Sequence, residues 1–139
     1  EHVKAVATGC NVPEVDFLFV VESLSRGRFM GVTGSVVDTD KLLKQQEDAA
    51  EKWGKDYLAR VVKEMKAAGV AAKSVVRKGM AADRILDYVA KNNIDLVIMS
   101  THGRSGPARW AMGSVSDKVI RHTDTPVLIV RPEGCEASA

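Results

Sequence analysis

The sequence predicts an α/β fold, an open, doubly wound parallel sheet with helices on both faces. Short apolar runs alternate along the chain with longer stretches of helical periodicity. The runs Ile94 to Met99 and Val127 to Val130 read as strands covered on both sides. Between them a glycine-bearing loop leads into a helix that opens on Gly113-Ser114, the way such folds build an anion cradle at the carboxyl end of the sheet.

The elements follow in order. His2 to Cys10 reads as the tail of a helix that closes near Gly9 and Asn11, and Val15 to Val21 as a short apolar strand. Ser23 to Thr39, with its Gly, Ser and Arg residues, is a loop. Asp40 to Ala68 is a long helix: Ala50, Trp53, Tyr57, Val61, Met65 and Ala68 recur at three- and four-residue spacing as its core stripe, and Gly69 stops it. Val70 to Val76 is a strand and Ala81 to Lys91 a helix with Ile85, Leu86 and Val89 inward. Ile94 to Met99, a helix Ser114 to Arg121 and the strand Val127 to Val130 complete the order.

Length and composition bound the function. A chain of 139 residues is one domain, residues 1–139. Twenty basic against 18 acidic side chains give a net charge of +2 with few aromatics, which is no footprint for nucleic acid. No apolar run reaches the roughly 18 residues of a membrane span, and no signal peptide is visible. Cys10 and Cys135 lack metal-ligand spacing and read as free thiols of a reducing cytoplasm.

The cradle has a physical basis. Gly103 and Gly113 lack a Cβ, so they can take positive φ and let peptide N–H groups approach a phosphate closely. The free N–H groups of the following helix point outward at the positive end of its dipole. Ser114 has two compatible uses, as a helix cap with Asp117 as a capping-box-like partner, and as a donor to a phosphate oxygen.

The pattern Thr101-His102-Gly103, nine residues, Gly113-Ser114-Val115 and then Pro126-Val-Leu-Ile-Val resembles the nucleotide-binding branch of the universal stress protein family, whose signature is Gly-x2-Gly-x9-Gly-[Ser/Thr]. The likeness extends over the whole chain and is most specific in its last third. It implies a Rossmann-like, adenine nucleotide alpha hydrolase-like sheet of five strands in the order 3-2-1-4-5, with ATP as the bound nucleotide. Carried over residue by residue, Met99, Ser100, Gly103, Gly113, Ser114 and Val115 match family contact positions, and Val20 matches an adenosine contact. Ser100 stands where the first signature glycine would be. Mg2+ or Mn2+ is expected beside the triphosphate, because its charge exceeds what backbone N–H groups neutralise. The central strand of that order, which ends in an adenosine-binding aspartate, is expected ahead of Glu1, on a segment of roughly 20 residues that this sequence does not contain.

Other residues invite catalytic readings that the pattern does not support. His102 has no Ser/Asp constellation to orient it and no second histidine at ligand spacing. Arg104 and Arg109 are either solvated or phosphate-neutralising, and Gly106-Pro107 punctuates the loop. Trp110 has two open readings, over a nucleotide or at an interface. Neither Asp16 nor Asp95 has a partner carboxylate for acid-base work. The Gly-x4-Gly-Lys-[Ser/Thr] loop of fast nucleoside triphosphatases is absent.

These readings converge on a cytoplasmic ATP-binding regulatory module that works by binding, with slow hydrolysis as the most it would catalyse. The alternative is a structural member of the same family that leaves the cradle empty and acts through its dimer surface. In either case Val127, Leu128, Ile129 and Val130 form an edge strand suited to antiparallel pairing in a homodimer.

Overall fold

The computed structural model describes residues 1–22, 36–100 and 113–130 (side chains from 40 onward in the second stretch). In chain order these form helix α1 (His2–Gly9), strand β1 (Val15–Val21), helix α2 (Val36–Ala67), strand β2 (Ala72–Lys78), helix α3 (Ala81–Lys91), strand β3 (Val97–Ser100), helix α4 (Ser114–His122) and strand β4 (Val127–Val130). The described residues fall into two compact units that divide between Ala81 and Ala82.

In the first unit β1 and β2 pair in parallel, from Val15 opposite Ala72 to Val21 opposite Lys78. In the second, β3 and β4 pair in parallel, from Val97 opposite Val127 to Ser100 opposite Val130. Among the described residues these are two sheets of two strands each. Each pair joins strands that the expected order also makes neighbours.

Helix closures explain where the strands begin. Gly69 takes φ +80°, its N–H donates to Lys66 O at 3.0 Å, and Val70 N–H donates to Met65 O at 3.0 Å. This is the paired closure of a Schellman motif, with glycine at the left-handed position. It holds Val70 in the turn, so β2 starts at Ala72 and ends at Lys78, shifted by two residues towards the carboxyl terminus from the expected strand. Asn93 (φ 49°) closes α3 similarly, with Ile94 N–H reaching Val89 O at 3.4 Å, and Thr125 Oγ1 donates to Ile94 O at 3.2 Å. Ile94 to Leu96 therefore precede β3, which runs from Val97 to Ser100 where Ile94 to Met99 was expected. Asn11 (φ 51°) ends α1 in the same manner, with Val12 N–H on Ala7 O at 3.0 Å.

The core of the first unit gathers Ala7, Met65, Val70 and Ala72, with Val3, Val12, Val15, Phe17 and Val62 packed against it. The long helix corrects the expected core stripe. Leu43, Gly54, Leu58 and Met65 are its buried residues, whereas Trp53 is 53% and Tyr57 42% exposed. The reason lies at Phe19. A Cβ on Gly54 would run into the Phe19 ring, so the glycine is the point at which helix and strand approach. That rotates the inward face by one residue from the reading based on Trp53 and Tyr57. Trp53 instead stacks on Tyr57 one turn on (5.2 Å between centroids, 3° between planes) and leans on Phe19 at 5.6 Å.

Ion pairs tie α2 to the carboxyl end of β2. Lys78 Nζ meets Glu51 Oε2 at 2.6 Å and Asp48 Oδ1 at 3.7 Å, and Lys55 Nζ meets Glu51 Oε1 at 2.6 Å. Hydrogen bonds from Lys55 first and Lys78 second hold the Glu51 carboxyl down at about 2. Lys73 is shared between Glu14 at 2.7 Å and Asp16 at 3.1 Å, and its ammonium is held above the usual lysine range, chiefly by Glu14.

Two outcomes are expected. Gly54→Ala gains about 1 kcal/mol of helix propensity but overpacks against Phe19 at a typical cost of about 1–3 kcal/mol, so the variant is less stable in urea. Phe19→Leu in the same chain should return part of the loss, and purely additive effects would refute the contact. For Glu51 the folded value lies below the unfolded one, so its contribution is complete above about 4.5 and disappears as the pH falls towards about 2. The melting temperature of wild type should therefore exceed that of Glu51→Gln near neutrality, with the gap closing in acid. The gap should also shrink in high salt, since the pair is exposed.

Candidate functional site

Of the sequence-selected residues, Val20, Met99 and Ser100 lie towards the carboxyl ends of strands and Gly113, Ser114 and Val115 at the start of a helix. Val20 is half-buried on β1, opposite Arg77 in the parallel register. Beyond it Val21 is 3% exposed, and its carbonyl accepts Gly79 N–H at 3.0 Å, closing the strand end. Val20 belongs to the first unit, and the remaining described candidates to the second.

In the second unit Met99 is half-buried on β3, and Ser100, the last residue of that strand, is exposed. β3 and β4 are parallel, and in the usual parallel crossover the connecting helix runs antiparallel to its strands. By that rule the amino terminus of α4 belongs to the carboxyl end of β3. Gly103, His102, Arg104, Arg109, Gly106-Pro107 and Trp110 lie outside the described residues.

The start of α4 departs from the expected chemistry in three respects. Gly113 is its N-cap with φ −61° and ψ 147°. This is an extended conformation that any residue adopts, so the positive φ expected there is not used, and glycine's contribution is its missing side chain. Ser114 is the first residue inside the helix, exposed, and the terminus has no side-chain cap hydrogen bond. Asp117, expected as a capping-box partner, instead accepts Arg121 Nε–H on both carboxylate oxygens at 2.9 and 3.0 Å. With glycine as N-cap the register of such a box is shifted by one residue, and the carboxylate is left for the next turn.

Val115 is half-buried, and Ser116 and Val119 form the buried side of the helix, 2% and 0% exposed. Ser116 Oγ–H donates to the Gly113 carbonyl at 2.8 Å, and Asp117 N–H reaches the same oxygen at 2.9 Å. Lys118 Nζ meets Asp83 Oδ1 in the first turn of α3 at 2.6 Å. Arg121 lies in the last turn, opposite in sign to the helix dipole there. The Ser116 bond went unnoticed in the sequence. A serine three residues after a glycine at a helix start, able to bond backward, was its signal.

The result is a short helix after β3 in the chain, whose exposed start offers backbone N–H donors. Such a terminus receives anions. Among the described residues, no group of three or more His, Cys, Asp or Glu side chains could hold a metal ion. No helix among them is long and apolar enough to cross a membrane.

The model of the universal stress protein family matches residues 10–131. The chain belongs to that family. As a universal stress protein it is similar to Universal stress protein MJ0577 of Methanocaldococcus jannaschii, 26% identical over 137 residues, which cover 94% of this chain and 84% of that one. Universal stress protein MJ0531 of the same organism is 31% identical over 120 residues, 85% of this chain and 65% of the relative. The solved structure of MJ0577 superposes with a TM-score of 0.76 at 22% identity, covering 96% of this chain and 85% of that one. A universal stress protein family protein of Arabidopsis thaliana, solved with AMP bound, gives a TM-score of 0.53 at 19% identity, over 86% and 66% of the two chains. At these identities the superpositions speak for the α/β fold.

Proposed function

We propose that this universal stress protein binds an adenine nucleotide, ATP in the cell, and acts as a stress- or energy-responsive regulatory module. The observation that carries the reading is the start of α4, the helix that follows β3: a glycine N-cap, an exposed serine hydroxyl and no side-chain cap. The AMP-bound Arabidopsis relative supports the choice of an adenine nucleotide. In this reading the phosphates rest on Gly103, Gly113, Ser114 and Val115, with Ser100 and Met99 on the strand before them. A divalent ion, Mg2+ or Mn2+, would be held by the phosphates and water. Binding is the activity, since the sequence has no lysine-bearing phosphate loop to drive turnover. The exposed free thiol of Cys10 suits the cytoplasm.

The test is Gly113→Val. The backbone at this position accommodates any residue, so the variant should fold, while its side chain crowds the phosphates. ATP affinity by calorimetry should drop at least tenfold, about 1.4 kcal/mol. Unchanged affinity would remove the phosphates from this helix. Ser100 at the first signature glycine favours the second reading, a member that works through its surface with no nucleotide. That reading requires wild-type protein to carry no adenine nucleotide after purification and to bind none.

We also propose a homodimer paired through β4. The strand bonds to β3 on one side, and Leu128 at its centre is 40% exposed. An antiparallel partner would satisfy its other edge and cover that side chain. Leu128→Lys with Val130→Lys should give monomers by light scattering, because like charges would face each other across the two-fold. A double variant that stays dimeric would move the interface elsewhere.

A further inference from the structure

We propose that Ser116 is a positioning residue for the phosphate end of the nucleotide site: its buried hydroxyl locks the Gly113–Ser114 peptide so that the Ser114 N–H faces an incoming phosphate. The inference rests on the adenine-nucleotide reading above and deepens it.

The argument starts from a single oxygen. The Gly113 carbonyl accepts two hydrogen bonds, from Ser116 Oγ–H at 2.8 Å and from Asp117 N–H at 2.9 Å. The second is the ordinary first bond of the helix, and the first is additional. A peptide unit is planar and trans, so the Gly113 C=O and the Ser114 N–H are two ends of one rigid plate that point in opposite directions. Two donors that hold the carbonyl towards the helix body therefore aim the N–H away from it, at whatever lies before the helix.

Glycine makes this control necessary. With no side chain, Gly113 leaves its flanking peptide planes freer to rotate than any other residue would, and no side-chain hydrogen bond caps the terminus. Ser116 supplies the missing restraint from inside. At 2% exposure it has little access to water, so the bond to Gly113 meets little competition. The direction of that bond matters as well. A side chain in the usual capping role accepts from the helix N–H groups and would compete with an anion for them, whereas the Ser116 hydroxyl donates to a carbonyl and leaves those N–H groups to a ligand.

The helix has anchors besides this hydroxyl. Val119 is fully buried one turn on, and Lys118 binds Asp83 of α3 at 2.6 Å. Loss of the hydroxyl should thus loosen the aim of one peptide while α4 stays in place. The consequence is selective: ligands with phosphates feel the change, and adenosine does not.

The experiment compares Ser116→Val with Ser116→Thr, which match in shape and differ in the hydroxyl, and Ser116→Ala, which adds no bulk. ATP and adenosine affinities are measured by calorimetry alongside the unfolding midpoint. Ser116→Val and Ser116→Ala should lose about tenfold in ATP affinity, or about 1.4 kcal/mol, with adenosine affinity within about twofold of wild type. Ser116→Thr should restore ATP binding relative to Val. Should the two branched variants fail to fold, the ratio of ATP to adenosine affinity in Ser116→Ala decides. A wild-type ratio in Ser116→Ala, or an equal loss for both ligands, overturns the positioning role while leaving nucleotide binding intact. Wild-type protein that binds neither ligand overturns the nucleotide reading itself, and this inference with it.

Discussion

A helix that connects two parallel strands ordinarily runs against them, and the reading of the second unit depends on that constraint. β3 and β4 pair in parallel over Val97–Ser100 and Val127–Val130, so by the crossover rule α4 begins on the side where β3 ends. The first N–H groups of a helix have no partner within it and lie at the positive end of its dipole, so the terminus needs no dedicated side chain to attract an anion. Gly113, as its N-cap, contributes no atoms beyond its backbone. The buried flank of α4, Ser116 and Val119, does the opposite work of holding the helix down. In the nine-residue helix the anion-facing start and the buried flank meet at Ser116, which belongs to the flank and bonds to the Gly113 carbonyl at the start.

In the first unit the corresponding constraint is steric. α2 connects β1 to β2 and lies close enough to β1 that the Phe19 ring occupies the space a side chain at position 54 would need. One glycine in the middle of a 32-residue helix costs about 1 kcal/mol of propensity, a cost offset by the close contact of helix and sheet. The same contact turns Trp53 and Tyr57 outward, where they stack on each other instead of filling the core. The ion pairs of Lys78 with Glu51 and Asp48 add direction: they favour one register of α2 along β2, though exposed pairs contribute little net stability.

Much of this was legible in the residues, and the failures have physical causes. β1 and β4 were read with their observed ends because each is an apolar run bounded by polar or turn residues. Gly69 was read as the stop of α2 because a left-handed closing residue favours glycine. The starts of β2 and β3 were misplaced because Val70 and Ile94 are apolar and β-branched, yet their N–H groups are spent on closing the preceding helices. Nothing in local periodicity marks an apolar residue as the last of a turn rather than the first of a strand. In the core stripe of α2, Met65 is buried as expected and Trp53 and Tyr57 are not, for a related reason. Large aromatics at helical spacing outweigh a glycine in any count of apolar residues, while in the folded chain the absence of a side chain is what the Phe19 ring required.

The site was legible as a pattern and less so as geometry. Gly113 and Ser114 were selected for the right place, the first residues of a helix after a strand, but the hydrogen bonds there differ from those expected. Capping was assigned to Ser114 because Ser is a common N-cap; the chain places glycine at the cap and moves serine one position inward. That shift exposes the Ser114 hydroxyl and sends Asp117 to Arg121. It also gives the control of the terminus to Ser116, whose polar side chain lies on the buried face where sequence periodicity alone would favour an apolar residue. A serine is tolerated there because one backbone carbonyl, three residues back, satisfies it completely enough to be buried. The same bond orients the peptide that a phosphate would meet, so a requirement of burial and a requirement of recognition are met by one hydrogen atom.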